Sequence, residues 1–306
     1  MSSAVFSTLS LSYVNEVSMC IAAVVLNYSE RFPLIIAHNR EEDTARRTGP
    51  VAVRDDILSA LDLKAGGVAA VGLNVRTGTF AVLTNCRING SFHTDGESRG
   101  ALIRQVLSEG VSESIARDIR CKTYQGDFHL FTGSAFVNDT ITLTYLTNIK
   151  GENSRELTSS QLEVIVRMNE HPSSLHDWSS KIEFLRSLIR NELIRNPDMG
   201  SADAVLEVIT RCMSITGPIP EPQSPIPPTY PWSPVPGMEP TVLRRIIVPA
   251  ISIDEHVRFG TVAQTVIVVD RGHRQVHFNY RSVLQDCPSV SFAPWEHHLV
   301  SYPDTN

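Results

Sequence analysis

The stretch MCIAAVVLNYSERFPLIIAHNREED, Met19–Asp43, sets two short apolar runs on either side of a polar turn. CIAAVVLN reads as a buried strand, Asn27–Phe32 as the turn and PLIIAHN as a second strand. Two runs of strand length around turn residues pair most simply as a hairpin. The charged segment Arg40–Arg47 follows directly, at the end of that second strand. Further along, Val68–Leu73 and Thr79–Thr84 read as a strand pair around Arg76-Thr77-Gly78. Phe128–Val137 and Thr140–Leu146 read as another around Asn138-Asp139.

Apolar residues recur at helical spacing in Ser98–Leu107 and Ser112–Ile119. They do so again in Lys181–Ile194, where Ile182, Leu185, Leu188, Ile189 and Ile194 are expected to share a face. Ala202–Met213 is a further helical region with Ser201 as N-cap. Strands are expected again at Val242–Val248, Val262–Asp270 and Gln275–Tyr280. Strands, then helices, then strands, without regular βαβ alternation, predict an α+β fold of antiparallel sheets covered by helices.

Composition narrows the classes. A 306-residue chain with 42% hydrophobic and 20% charged residues can bury a core without disulfides or metal. Its formal charge of −6 argues against a nucleic-acid partner, which requires a basic surface. Cys20, Cys86, Cys121, Cys212 and Cys287 are scattered and form no C-x-x-C pair, so neither a disulfide framework nor a zinc site is expected. No apolar run approaches the roughly 20 residues of a membrane span. Residues 1–18 lack the basic start of a secretory signal and the arginines of a transit peptide, and read as a disposable leader. The domain is then 19–306. Within it, residues 217–240 hold ten of the 18 prolines and read as a surface loop; Pro225–Pro228 fits P-x-x-P, the form a proline-recognition partner would bind.

The chemistry starts at Cys20. A thiol attacks only as thiolate and needs a base or cation nearby. Were Cys20 the first residue, its own α-amine would serve, and Met19 before it supplies a simple route through methionine trimming. The plain alternative is an inert cysteine at the start of a buried strand.

Met19-Cys20-Ile21 with Ala37-His38-Asn39-Arg40-Glu41-Glu42 resembles the opening of the transport and Golgi organization protein 2 family, also named for its Asn-Arg-Asp-Glu signature. Ile57–Asp62, Gly66-Gly67, Phe80–Arg87, Ser98–Leu102, Phe259-Gly260-Thr261, Thr265–Asp270 and Trp295-Glu296 continue the resemblance in order, to about Tyr302. The chain departs from the pattern at Glu41, where the signature has aspartate. It also departs in Val68–Val71, which lacks the expected tryptophan, and at Val262, where arginine is expected; Arg258 is a candidate to compensate. The family is in turn similar to cysteine N-terminal-nucleophile amidases. That resemblance implies a four-layer αββα sandwich with Cys20 as nucleophile and Arg40 beside it. The acid would be Glu41 or Asp43, and the two amides Asn85 and Asn169. Arg40 would lower the thiol pKa, Glu41 or Asp43 would pair with the α-amine, and Asn85 or Asn169 would donate to an oxyanion.

The resemblance further implies haem or acyl-lipid trafficking and Golgi organization, in the cytoplasm, with association to mitochondria or Golgi left open. It requires no cofactor, haem entering only as transported ligand. The alternative is an amidohydrolase acting on a small linear amide. Cys287-Pro288 and His297-His298 are weak candidates for haem ligands, since adjacent histidines on a strand point to opposite faces. His171 and His176 flank Pro172 and read as loop residues rather than a metal pair.

Overall fold

The computed structural model describes residues 20–86, 95–136, 141–168, 178–219, 245–252, 258–285 and 289–302. The leader, Asn169, Cys287, His171, His176 and most of the proline-rich segment (220–240) lie outside the described residues.

Two sheets carry the fold, and every pairing between their named strands is antiparallel. One is centred on β1 (Ile21–Leu26) and β2 (Leu34–Asp43). On one side of them lies β10 (Glu163–Met168); on the other come β12 (Arg258–Asp270) and β13 (Gln275–Leu284), with the short β11 (Ile251–Ser252), β14 (Ser291–Phe292) and β15 (Glu296–Ser301) at that border. The second sheet runs in chain order through β3 (Ala52–Arg54), β4 (Ile57–Asp62), β5 (Gly67–Asn74), β6 (Thr79–Cys86), β7 (Asp127–Ser134), β8 (Leu143–Thr147) and β9 (Arg155–Leu157). The described helices are α1 (Arg99–Glu109), α2 (Glu113–Cys121), α3 (Trp178–Arg195) and α4 (Ala202–Met213).

Three apolar clusters show how these elements stack. Ala22, Val24, Leu34 and Ile36 meet Leu58, Val71, Phe80 and Phe131 between the sheets. Ile21, Ala23, Val25 and Ile35, on the opposite face of the same strands, meet Leu185, Ile189, Val205 and Ile209 of α3 and α4. Leu102, Val106 and Ile115 of α1 and α2 cover the outer face of the second sheet through Ala81, Leu83 and Leu130. β1 reads as an unbroken apolar run because both its faces are covered and every residue is buried. The class predicted from the element order, α+β, is the one observed.

Local signals act as expected where they are strong. The Ser201 hydroxyl accepts from the Ala204 amide at 3.2 Å and caps α4, and Ser112 does the same for Ile115 at 3.3 Å on α2. Gly72 lets α1 lie against β5, since a Cβ there would come within 2.6 Å of Leu107 Cδ1.

Two expectations are corrected. Ile194 is 55% exposed and Leu193 takes the buried place on α3, because the inward face follows 182, 185, 189 and 193. The described part of the strand expected at Val242–Val248, Arg245–Val248, forms no ladder. Two of its amides are satisfied singly instead, Ile247 by the Ile215 carbonyl at 2.9 Å and Val248 by Thr261 Oγ1 at 2.9 Å.

Candidate functional site

Side chains alternate along a strand, and that alternation divides the Asn39-Arg40-Glu41-Glu42 signature of β2 between two faces. Asn39 and Glu41 face the helices. Asn39 Nδ2 donates to the carbonyls of Met213 at 3.0 Å and Ile246 at 3.1 Å, and its Oδ1 accepts from Gln264 at 2.8 Å. This is scaffolding that pins the end of α4 to the sheet. Gln264 in turn accepts from Arg281 at 2.8 Å, and that guanidinium stacks on Phe292 and Trp295.

Arg40 and Glu42 reach the cleft on the other face, a cavity of about 120 Å³ that Cys20 also lines. Asp62 from the end of β4, Arg46, Asn85 of β6 and Arg99 at the start of α1 complete its polar wall. Arg40 Nη2 donates to Asp62 at 3.0 Å and lies 3.6 Å from Glu42. Arg46 bridges Glu42 at 2.9 Å and Asp62 at 2.8 Å. Arg40 is 6% exposed, yet its Nη1 has no hydrogen-bond partner among the described residues. Arg99 is half-buried; burial lowers its pKa, and the Glu42 carboxylate opposes that fall.

The Cys20 thiol is 6% exposed and held by the backbone of Glu41, whose amide donates to Sγ at 3.4 Å. Burial, joined by the Glu41 carboxylate, pushes the thiol up to about 11; the Glu41 amide and Arg40 oppose the rise without cancelling it. Inside the chain, Cys20 is therefore a protonated thiol at neutral pH. Iodoacetamide at pH 7 should modify the exposed Cys121 and spare Cys20, read by peptide mapping of native and urea-unfolded protein. Rapid native labelling of Cys20 would contradict a closed, protonated thiol.

Among the expected site residues, Cys20, Arg40 and Asn85 line one cleft. Glu41 and Asp43 do not. Glu41 is wholly buried behind the sheet, where Thr261 Oγ1 donates to it at 3.4 Å, and Asp43 accepts from the Ala45 amide at 2.9 Å within its own turn. The acids in the cleft are Glu42 and Asp62, which the sequence reading passed over. The signal for Glu42 was available, since it stands two residues from Arg40 and shares its face. Arg258, the exposed first residue of β12, does not line the cleft, and the further cations there are Arg46 and Arg99.

Two β-bulges lie in the strands that frame this region. One, between Thr261 and Ala263, places Val262 opposite no β2 residue. The other, between Ser59 and Leu61, leaves Ala70 at φ +69° on the cleft wall. Bulges re-aim side chains at the cost of ladder bonds and recur beside functional sites. Among the described residues no cluster of histidine, cysteine and acidic side chains could hold a metal ion. His297 instead meets Asn279 Oδ1 at 2.7 Å. No helix among the described residues is long and apolar enough to cross a membrane.

Together these features define an α+β protein whose two facing sheets carry a buried thiol and a paired set of arginines and carboxylates at one cleft. The chain belongs to the Transport and Golgi organisation 2 family, whose profile matches residues 19–285. Comparison with curated proteins gives no match.

Proposed function

We propose that this transport and Golgi organisation 2-type protein handles haem or an acyl lipid, on a four-layer αββα sandwich of the N-terminal-nucleophile hydrolase type. In this reading the Cys20 cleft holds the anionic end of the ligand and cleaves nothing. The observation that carries it is the electrostatic state of the cleft. Three guanidiniums, Arg40, Arg46 and Arg99, face two carboxylates, Glu42 and Asp62, while the thiol between them is protonated. A fixed excess of guanidinium suits a carboxylate or phosphate through charge-assisted hydrogen bonds. A thiol raised to about 11 is a poor nucleophile. The cavity of about 120 Å³ accommodates a head group, with the body of the ligand outside it.

Haemin and palmitoyl-coenzyme A titrated into the full chain test this. One of them should bind, and Arg40→Gln/Arg99→Gln should weaken it about tenfold, the worth of one lost charge-assisted bond. Unchanged affinity in the double variant would remove the cleft from the ligand's path.

The placement of Cys20, Arg40 and Asn85 on one cleft, directly after Met19, favours a second reading as a cysteine amidohydrolase. There the mature chain begins at Cys20, the α-amine is the base, Glu41 or Asp43 pairs with that amine, and Asn169 keeps the supporting role expected of it. Intact-mass measurement of the cellular protein decides it. A chain starting at Cys20 that hydrolyses a small linear amide, with activity lost in Cys20→Ser, supports the enzyme. A dominant Met1 or Ser2 start ends it.

A further inference from the structure

The second sheet finishes on β9 and the first on β10, so both chains of edge hydrogen-bonding groups end at the same border of the molecule. Between these edges and the flank of α3 lies a cavity of about 350 Å³, separate from the Cys20 cleft and sharing no residue with it. Four arginines rim it from three elements: Arg155 on β9, Arg167 on β10, and Arg186 and Arg190 one turn apart on α3. Among the described residues, Glu163 is the one acid in the lining. Arg186 pairs with Glu183, and Arg167 Nη1 donates to the carbonyl of Val166 at 3.0 Å. Among the described residues neither Arg155 nor Arg190 makes an ion pair. The floor is apolar: Phe131, Tyr145, Val164 and Ile165 are all buried, with the two rings 5.3 Å apart.

This concentration of cations needs a reason. The chain carries a formal charge of −6, yet it gathers four guanidiniums at one opening with little internal neutralisation. A solvated helix face could supply Arg186 and Arg190, but not Arg155 and Arg167, which converge on them from two different sheets. The periodicity of β10 turns Ile165 and Arg167 to the side between the sheets, while Val164, Val166 and Met168 pack under the helices. Arg167 is thus aimed into the cavity by the same alternation that builds the core.

We propose that this cavity is a binding site for a phosphomonoester carrying a small apolar or aromatic body. Its volume falls at the lower end of small-molecule sites, and an apolar floor with a few polar groups at the rim is their usual make-up. Guanidiniums arriving from three directions match a tetrahedral dianion with three free oxygens. A lone carboxylate presents two oxygens in one plane and is satisfied by a single arginine fork. The body of the ligand covers the Tyr145–Phe131 floor and the phosphate sits among the arginines. The site is independent of what happens at Cys20.

Phenyl phosphate is the probe, titrated into the full chain by calorimetry and compared with benzoate, phenol and inorganic phosphate. Phenyl phosphate should bind, each of the other three at least about tenfold more weakly, and its affinity should fall as salt rises. Arg186→Gln/Arg190→Gln should weaken it about tenfold or more. Both side chains reach solvent, so folding should survive; Arg155→Gln, on the opposite wall, gives an independent second test, each variant being checked by its thermal melt. No binding by the parent protein would overturn the proposal. So would parent-like affinity in both folded variants, or equal binding of benzoate or inorganic phosphate. Because Cys20→Ser leaves this cavity untouched, phenyl phosphate binding in that variant separates failure here from failure at the thiol cleft.

Discussion

Replacing Asp62 with alanine will lower the free energy of unfolding by about 3–5 kcal/mol, the loss typical when one partner of a buried ion pair is removed. Asp62 closes β4 with a side chain that is 7% exposed. It accepts from Arg40 Nη2 at 3.0 Å, from Arg46 at 2.8 and 3.2 Å, and from the amides of Lys64 and Ala65 at 3.0 Å each. Removing the carboxylate strands Arg40, whose Nη1 already lacks a partner among the described residues and whose nearby acid Glu42 is 3.6 Å away. Asp62→Asn keeps an acceptor for the amides but loses the charge, and should fall between the parent and Asp62→Ala.

The pH dependence has a definite sign. Burial works to raise the Asp62 pKa, but the Ala65 amide and the Arg46 and Arg40 guanidiniums outweigh it and hold the group below its ordinary 3.8. A depressed carboxyl contributes stability that is present above the unfolded value and is lost as pH falls through the folded one. The cost of Asp62→Ala should accordingly be full at pH 6 and shrink below about pH 4. Urea unfolding at both pH values measures it. A loss below about 1 kcal/mol at pH 6, the size expected of a solvated surface pair, would mean the cluster does not anchor the cleft.

These residues also mark how far the sequence could be read. The apolar runs at Cys20–Leu26 and Val262–Asp270 and the helical spacing of Ala202–Met213 carry their own period, and they appear in the structure as strands and helix. The β3–β4 turn was invisible because Asp55-Asp56, both at positive φ (50° and 62°), lacks the glycine that usually announces such a hairpin. β9 and the bulges were invisible for a related reason: three residues, or one extra residue, give no period to count. At the cleft, Cys20 was legible from the Met-Cys pair, and Arg40 and Asn85 through the family resemblance. Asp62 and Arg99 come from distant segments whose meeting only the stacked sheets bring about. The reading followed the order of the signature, whereas the strand selects every second residue and so turns Glu42, with Arg40, onto the cleft and Glu41 behind the sheet.

Glu41 itself then needs an account, and Lys181→Met should supply it. Glu41 is wholly buried; Thr261 serves one oxygen and the other has no hydrogen-bond partner among the described residues. Burial raises its pKa from 4.5 to about 7, with Lys181, 1% exposed on α3, the principal opposing charge and Thr261 second. Between these two values the folded chain holds a proton that the unfolded chain has released, so stability falls as pH rises from about 5 to about 7 and levels off above. At about 1.4 kcal/mol per pH unit, the gap from 4.5 to about 7 sets an upper bound of roughly 3.5 kcal/mol on that total fall. Lys181→Met removes the cation that lets Glu41 ionise in place. At pH 8 the variant should lose about 3 kcal/mol or more, because a buried carboxylate is left uncompensated. At pH 5, where Glu41 is neutral in parent and variant alike, the loss should be much smaller. Glu41→Gln should flatten the slope between pH 5 and 8, and Glu41→Gln/Lys181→Met should recover most of what Lys181→Met loses at pH 8. Equal losses at both pH values, or a slope that survives in Glu41→Gln, would refute the assignment. The same Glu41→Gln change reaches through the sheet to the cleft. Its carboxylate is the second cause, after burial, of the raised Cys20 pKa, so neutralising it should bring the thiol's titration down from about 11 while burial keeps it above 9.0. Residual elevation after Glu41→Gln would locate the raised pKa of Cys20 in its burial, which no single charge in this cleft removes.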